Sequence, residues 1–343
     1  LATPASQSAS PEAGPAGRCL VGPGLGSTLL FPYFEVDLAD TNGVTTLISV
    51  ANGLFSPTLT RVVVWTDWGV PTLAFDIWLD SFDVQSINVR HLFDGTLPTT
   101  AVGVDLSAFD DCSMLPPTYT NPALTPGQIE QLRTAHMGQP GHIDGLCYGM
   151  SHGDQVARGY VTIDVVDECS GLEGHNPVYT PANTTYPYFA DGGGSSGIAI
   201  VSNQLWGDVV YVDFVNNYAQ GSEAVPVWAD PAEFTTDSPH LFTFYGRHSW
   251  FDGRDERVPL GYRWDQRFFN GGAFDGGANL IVFHTPNNPA SAAVTCGTTP
   301  PWYPLTVSVA SLDEDASNLE TYADNLFPLV TQRVSIDTVA PPY

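Results

Sequence analysis

The chain has 343 residues, 43% of them hydrophobic, and carries a formal net charge of -26. Only 14% of residues are charged, against about a quarter in an average domain, and all 11 cationic side chains are arginine, so the acidity reflects missing cations and not surplus carboxylates. That composition leaves no basic footprint for DNA or RNA and no attraction to anionic lipid, and a mean hydropathy of -0.03 without a long apolar run leaves no membrane-spanning helix.

Residues 1–18 are dominated by Pro, Ala, Ser and Gly and contain almost nothing that could form a core. Such a segment takes an ordered shape only when another surface holds it. It is therefore read as an extended arm, with Leu1, Ala2, Thr3, Pro4 and Ala5 as its first assembly contact on a neighbouring subunit. The opening Leu1-Ala2-Thr3-Pro4 is the kind of end that removal of a leader leaves behind.

From Leu29 the pattern becomes β. LLFPYFEVDL and TTLISVAN flank Asn42-Gly43, the dipeptide that most strongly marks a tight hairpin, because both residues tolerate positive φ. The acids around this turn do not make a calcium loop, since alignment on Gly43 puts Leu38 at the first ligand position. RVVVWTDW and FDIWLD follow. In the latter, Phe75, Ile77 and Leu79 face one way while Asp76, Trp78 and Asp80 face the other, which predicts a half-buried strand. FDVQSINV predicts another strand. Thr125-Pro126-Gly127-Gln128 is a capping box with proline at the first helical position, and Ile129, Leu132 and Ala135 supply an apolar stripe, so one short helix is expected over 126–137. YVTIDVVDEC returns to strand. The run Gly192-Gly193-Gly194-Ser195-Ser196-Gly197 closes the most evident linker in the chain, and six further strand-like runs follow it.

These elements predict an all-β protein built as an antiparallel β-sandwich, in two sandwich-like halves with one short helix inserted in the first. The expected boundaries are an arm at 1–18, a first half at 19–172, a linker at 173–197 and a second half at 198–343. FPYFEVDL, TTLISVAN, RVVVWTDWGVPTLAFDIWL and INVRHLFDGTLP resemble segments of secreted bacterial β-rich proteins of unknown function. LWGDVVYVDFVNNYAQG, FTFYGRHSWFDGRDERVPL and GGAFDGGANLIVFH are similar to further parts of them. The resemblance implies export from a bacterium and brings no activity and no site residues.

Five cysteines without a CxxC pair fit disulfides of an oxidising compartment, and Cys112 with Cys147, around the helical insertion, is the expected bond. GHIDGLCYGMSHGD gathers His142, Asp144, Cys147, His152 and Asp154, but at intervals that match no zinc spacing. If an ion is present it is structural calcium, held by a dense acid group such as Asp313, Glu314 and Asp315, or Asp110 and Asp111; otherwise no cofactor is expected. There is no GxSxG elbow and no lysine for Schiff-base chemistry, so no catalytic residue is nominated. Arg247, Arg254, Arg257, Arg263 and Arg267 sit among acids and aromatics and read as an ion-pair and stacking network. Trp65, Trp68, Trp78, Tyr211, Tyr218, Trp250 and Tyr262 either fill a sandwich core or an intersubunit face, or stack on sugar rings. The expectation is a secreted structural protein, not an enzyme, that assembles with itself into a filament or surface layer. The alternative is a monomeric adhesin or carbohydrate-binding module, stabilised by calcium and bound to a glycan.

Overall fold

Among the described residues the first strand begins at Thr28, where the apolar run LLFPYF follows. The computed structural model describes residues 24–101, 118–120, 123–166, 199–230, 244–245, 257–261, 278–284, 294–297, 305–307, 310–312, 319–321 and 325–336. In chain order the first elements are β1 (Thr28–Asp37), β2 (Thr45–Asn52), β3 (Thr58–Thr66), β4 (Pro71–Leu79), β5 (Val84–Asn88) and α1 (Val89–Phe93). There follow β6 (Thr99–Ala101), β7 (Thr118–Thr120), α2 (Pro126–His136), β8 (Leu146–Cys147) and β9 (Val156–Val166), and then β10 (Leu205–Asp213), β11 (Tyr218–Glu223) and β12 (Val225–Val227).

Nine of these strands make an antiparallel sandwich. One sheet has five strands in the order β12-β1-β9-β3-β4, and the other has four in the order β11-β10-β2-β5. The main core lies between them, with Phe31 and Phe34 of β1, Val62 and Val64 of β3, Ile163 and Val165 of β9, and Ile48, Val50 and Val209 from the facing sheet. Burying each such side chain is worth about 1.5–3 kcal/mol, so this interleaved layer dominates the stability of the fold.

Asn42-Gly43 does not close a hairpin. β1 and β2 lie in different sheets, so the loop carries the chain from one layer to the other. The Asp37 carboxylate accepts from the backbone N–H of Ala39 and Asp40, opening the turn into a wider loop. The Arg90 guanidinium at the start of α1 then clasps this loop through the carbonyls of Asp37, Gly43 and Val44. The dipeptide signal is local and cannot register that both flanking strands find better partners elsewhere.

The helix expected over 126–137 forms at Pro126–His136, with the Thr125–Gln128 capping box in place. Leu132 and Ala135 are buried against the sheets. Gly159 of β9 permits the contact: a Cβ there would come within 2.0 Å of the Trp65 carbonyl and 3.1 Å of the His136 ring. A second helix, α1, replaces the end of the strand expected at FDVQSINV, because the Asn88 side chain accepts from the Arg90 N–H and caps it.

Two corrections concern the larger plan. β10, β11 and β12 were expected in a second half, yet they complete the sheets of the first sandwich. FDIWLD divides its side chains as expected, but Asp76 and Trp78 are as buried as Phe75 and Ile77. The five-stranded sheet is covered on its outer face as well, where Phe244, Tyr245 and Val330 pack on Leu59, Val63, Trp65, Trp78 and Tyr160. The remaining described strands form antiparallel pairs: β13 (Asn279–Phe283) with β19 (Thr331–Ser335), β15 (Leu305–Val307) with β18 (Asn325–Phe327), and β16 (Ala310–Leu312) with β17 (Leu319–Thr321). β14 (Val294–Thr295) pairs with β8, and β6 with β7.

Candidate interaction surface

The ionisable groups that sequence inspection would nominate for chemistry are mostly spent on packing. Across the outer face of the five-stranded sheet, Thr28, Asp164, Arg61 and Asp76 are successive cross-strand neighbours on β1, β9, β3 and β4. Arg61 donates to Asp76 at 2.9 Å, with both side chains at most 2% exposed. Arg257 lies 3.3 Å from Asp164, and the Tyr245 hydroxyl donates to the other Asp164 oxygen at 2.8 Å. Alternating charges satisfy one another, so the row closes the sheet beneath its cover and offers no open coordination to a substrate. The expected arginine network is thus represented by Arg257, which also stands over the Tyr245 ring; Arg247, Arg254, Arg263 and Arg267 fall outside the described residues.

The pair closest in form to a catalytic dyad is Asp67 with His152, at 3.2 Å. Burial pushes the Asp67 carboxyl above its ordinary range. Its Oδ1 accepts from the Met150 N–H, and its carbonyl accepts from the Val330 N–H, so the residue staples two segments to the β3–β4 turn. His136 is wholly buried, donates from Nδ1 to the Arg158 carbonyl and accepts at Nε2 from the Thr72 hydroxyl. Burial lowers its pKa to about 4, which keeps it neutral.

The other predicted residues are dispersed or lie elsewhere. Cys147 is bonded to Cys296, with a Cα separation of 5.0 Å set by the β8–β14 pairing. This corrects the expected bond with Cys112, which lies outside the described residues, since a sulfur in one disulfide cannot join another. Asp144 accepts from Tyr148 and Asp154 pairs with Arg158, so the 142–154 stretch does not converge. Among the described residues no three His, Cys, Asp or Glu side chains gather as a metal site. Asp313, Glu314 and Asp315, Asp110 and Asp111, and the arm with Leu1, Ala2, Thr3, Pro4 and Ala5 fall outside the described residues, as do Trp250 and Tyr262. Trp65, Trp68 and Trp78 prove to be core.

Among the described residues, large apolar side chains are exposed at both ends of the sandwich, besides others such as Ile143, Met150 and Leu326. At one end of the sandwich the β2–β3 and β4–β5 turns bring Phe55 (85% exposed) against Phe82 (53% exposed), edge to face at 4.5 Å, beside Leu54 and Val84. Phe82 has φ 57, a left-handed conformation that disfavours a bulky side chain, and Asn52 braces the two turns through the Ser56 and Asp80 carbonyls. The fold thus holds a phenylalanine in water at a strained position. At the opposite end the β10–β11 hairpin presents Phe214 and Val215, 66% and 64% exposed. The two tips are at opposite ends because β10 sets Leu205 beside Asn52 and Val212 beside Thr45. Between them, all six residues of β11 are exposed. On the adjoining outer face Trp206, 40% exposed, stands near Asp208, Ser49 and Glu223.

The sequence marks these tips only weakly. Phe55 lies between Gly53 and Pro57, and Phe214 shortly before Asn216-Asn217; aromatics within turn-forming residues were the available signal. Comparisons of the chain with protein-family models, with curated proteins and with solved structures find no match. Among the described residues no helix is long and apolar enough to cross a membrane.

Proposed function

We propose that this chain is an extracellular structural subunit that assembles end to end with copies of itself into a filament or surface layer. The observation that carries this reading is the pair of apolar tips, Phe55 with Phe82 at one end and Phe214 with Val215 at the other. Joining one tip to the other is a heterologous contact, and repetition of such a contact gives an open filament when the rotation does not close. The Cys147–Cys296 bond supports an oxidising compartment. The test is sedimentation velocity with negative-stain microscopy on wild type and on a Phe55→Ser/Phe82→Ser variant. Concentration-dependent polymers from wild type that the variant does not form are expected. Wild type that stays monomeric throughout the concentration range overturns the proposal.

A second reading, a monomeric adhesin or carbohydrate-binding module, is favoured by Trp206, which sits exposed near the Ser49 hydroxyl and the Asp208 and Glu223 carboxylates. Sugar rings stack on such indoles while the polar neighbours take the hydroxyls. This reading requires oligosaccharide to change the tryptophan fluorescence of wild type and not of Trp206→Ala, and requires a chelator to lower Tm where calcium is structural.

A further inference from the structure

Resting on the self-assembly reading, we infer that a second copy of this chain docks along the free edge of β11, strand against antiparallel strand, with Gly221 on the two-fold axis. β11 is the last strand of its sheet, and among the described residues no strand pairs with its outer side. Free edges invite pairing, and proteins guard them with lysine, proline, bulges or cover. β11 reads YAQGSE and has none of the first two, its register with β10 is unbroken from Tyr218 to Glu223, and every one of its residues is exposed. Of the three other edges of the sandwich, β5 is five residues long and runs directly into α1. β12 is three residues long with Pro226 at its centre. β4, the outermost strand on the far side, is buried along most of its length.

The register follows from the backbone. The Ala224 N–H donates to the Gly207 carbonyl, so Ala224, Ser222, Gln220 and Tyr218 turn their amides toward β10. Ala219, Gly221 and Glu223 must then turn theirs outward. Two copies related by a two-fold axis through Gly221 set Ala219 opposite Glu223 of the second copy, Gly221 opposite Gly221, and Gln220 opposite Ser222. All three outward-facing residues find a partner in this register. The carboxylate of each Glu223 faces a methyl group and not the other carboxylate, so the acidic edge meets no like charge across the seam. Gly221 leaves the axis free of side chains, and the amides of Gln220 meet hydroxyls of Ser222. With a net charge of -26 on each copy, long-range repulsion opposes this contact, so salt strengthens it as the Debye length falls.

The arrangement makes opposite predictions for two substitutions at one exposed position. Ala219→Glu places like charges face to face twice across the seam, and it raises the dissociation constant of the pairing by about tenfold or more. Ala219→Lys places a cation opposite each Glu223 and leaves pairing as strong as wild type or stronger, although lysine on an edge generally blocks association. Adding Glu223→Lys to Ala219→Glu restores pairing. The measurement is sedimentation velocity over a concentration series at low and high salt, with circular dichroism and Tm confirming that each variant folds. Monomeric wild type sinks the self-assembly reading itself. Wild type that assembles while Ala219→Glu and Ala219→Lys behave alike overturns the β11 seam alone. Assembly abolished by deleting residues 1–17 but indifferent to position 219 also overturns it, in favour of the arm as the occupant.

Discussion

The two sheets of the sandwich share a core but meet different surroundings. The five-stranded sheet is covered on both faces, and its outer side carries the Asp76–Arg61–Asp164–Thr28 row under Tyr245 and Arg257. The four-stranded sheet packs its inner face on the core, leaves Leu47 and Trp206 exposed on the other, and ends in the exposed strand β11. Charge is buried and paired on the first sheet, whereas apolar surface is left in water around the second. An ion pair without water is costly to break, and an apolar group in water gains by being covered. The first sheet is therefore scaffold, and the contacts proposed with other copies fall around the second.

Removing charge from each sheet sharpens the contrast most. Arg61→Met takes the buried ion-pair partner from Asp76 and should destabilise the protein by about 4 kcal/mol in denaturant unfolding. The double variant Arg61→Met/Asp76→Leu should recover a large part of that loss, because the uncompensated carboxylate leaves with its partner. Asp208→Asn, on the outer face of the four-stranded sheet, should stay within about 0.5 kcal/mol of wild type. Equal losses at the two sites would break the distinction between scaffold and surface.

Acid should expose the buried side next. The His136 pKa falls from 6.5 in the unfolded chain to about 4 in the fold, so between those values the unfolded state binds more protons. Stability therefore falls as pH drops through this window, by roughly 3 kcal/mol once both states are protonated. Asp67 works in the opposite sense, since a carboxyl whose pKa is raised in the fold gains stability on protonation. The readout is accordingly the difference in slope between wild type and His136→Gln from pH 7 to pH 4, and matching slopes would exclude His136 as the source.

The smallest effect on folding belongs to the apolar tip. Asn tolerates the left-handed conformation at position 82, so Phe82→Asn trades strain of about 1 kcal/mol for loss of an edge-to-face contact of similar size. Tm should barely move while end-to-end assembly weakens. A large drop in Tm would make Phe82 a core residue and not an interface.

Much of the fold was legible from the chain alone, wherever neighbouring residues decide the outcome. The capping box at Thr125–Gln128 specifies α2 because donor and acceptor are three residues apart. The alternation of FDIWLD assigned Phe75 and Asp76 to opposite faces because pleating does so in any strand. Tertiary structure decided which strands pair, which faces are covered and which cysteines meet, since each depends on segments far apart in the chain. It drew β1 and β2 into separate sheets across Asn42-Gly43, brought Cys296 to Cys147 across 149 residues, and buried Trp65 while leaving Phe55 in water. Hydrophobicity says that a side chain favours cover; only the arrangement of the sheets determines whether that cover comes from its own chain.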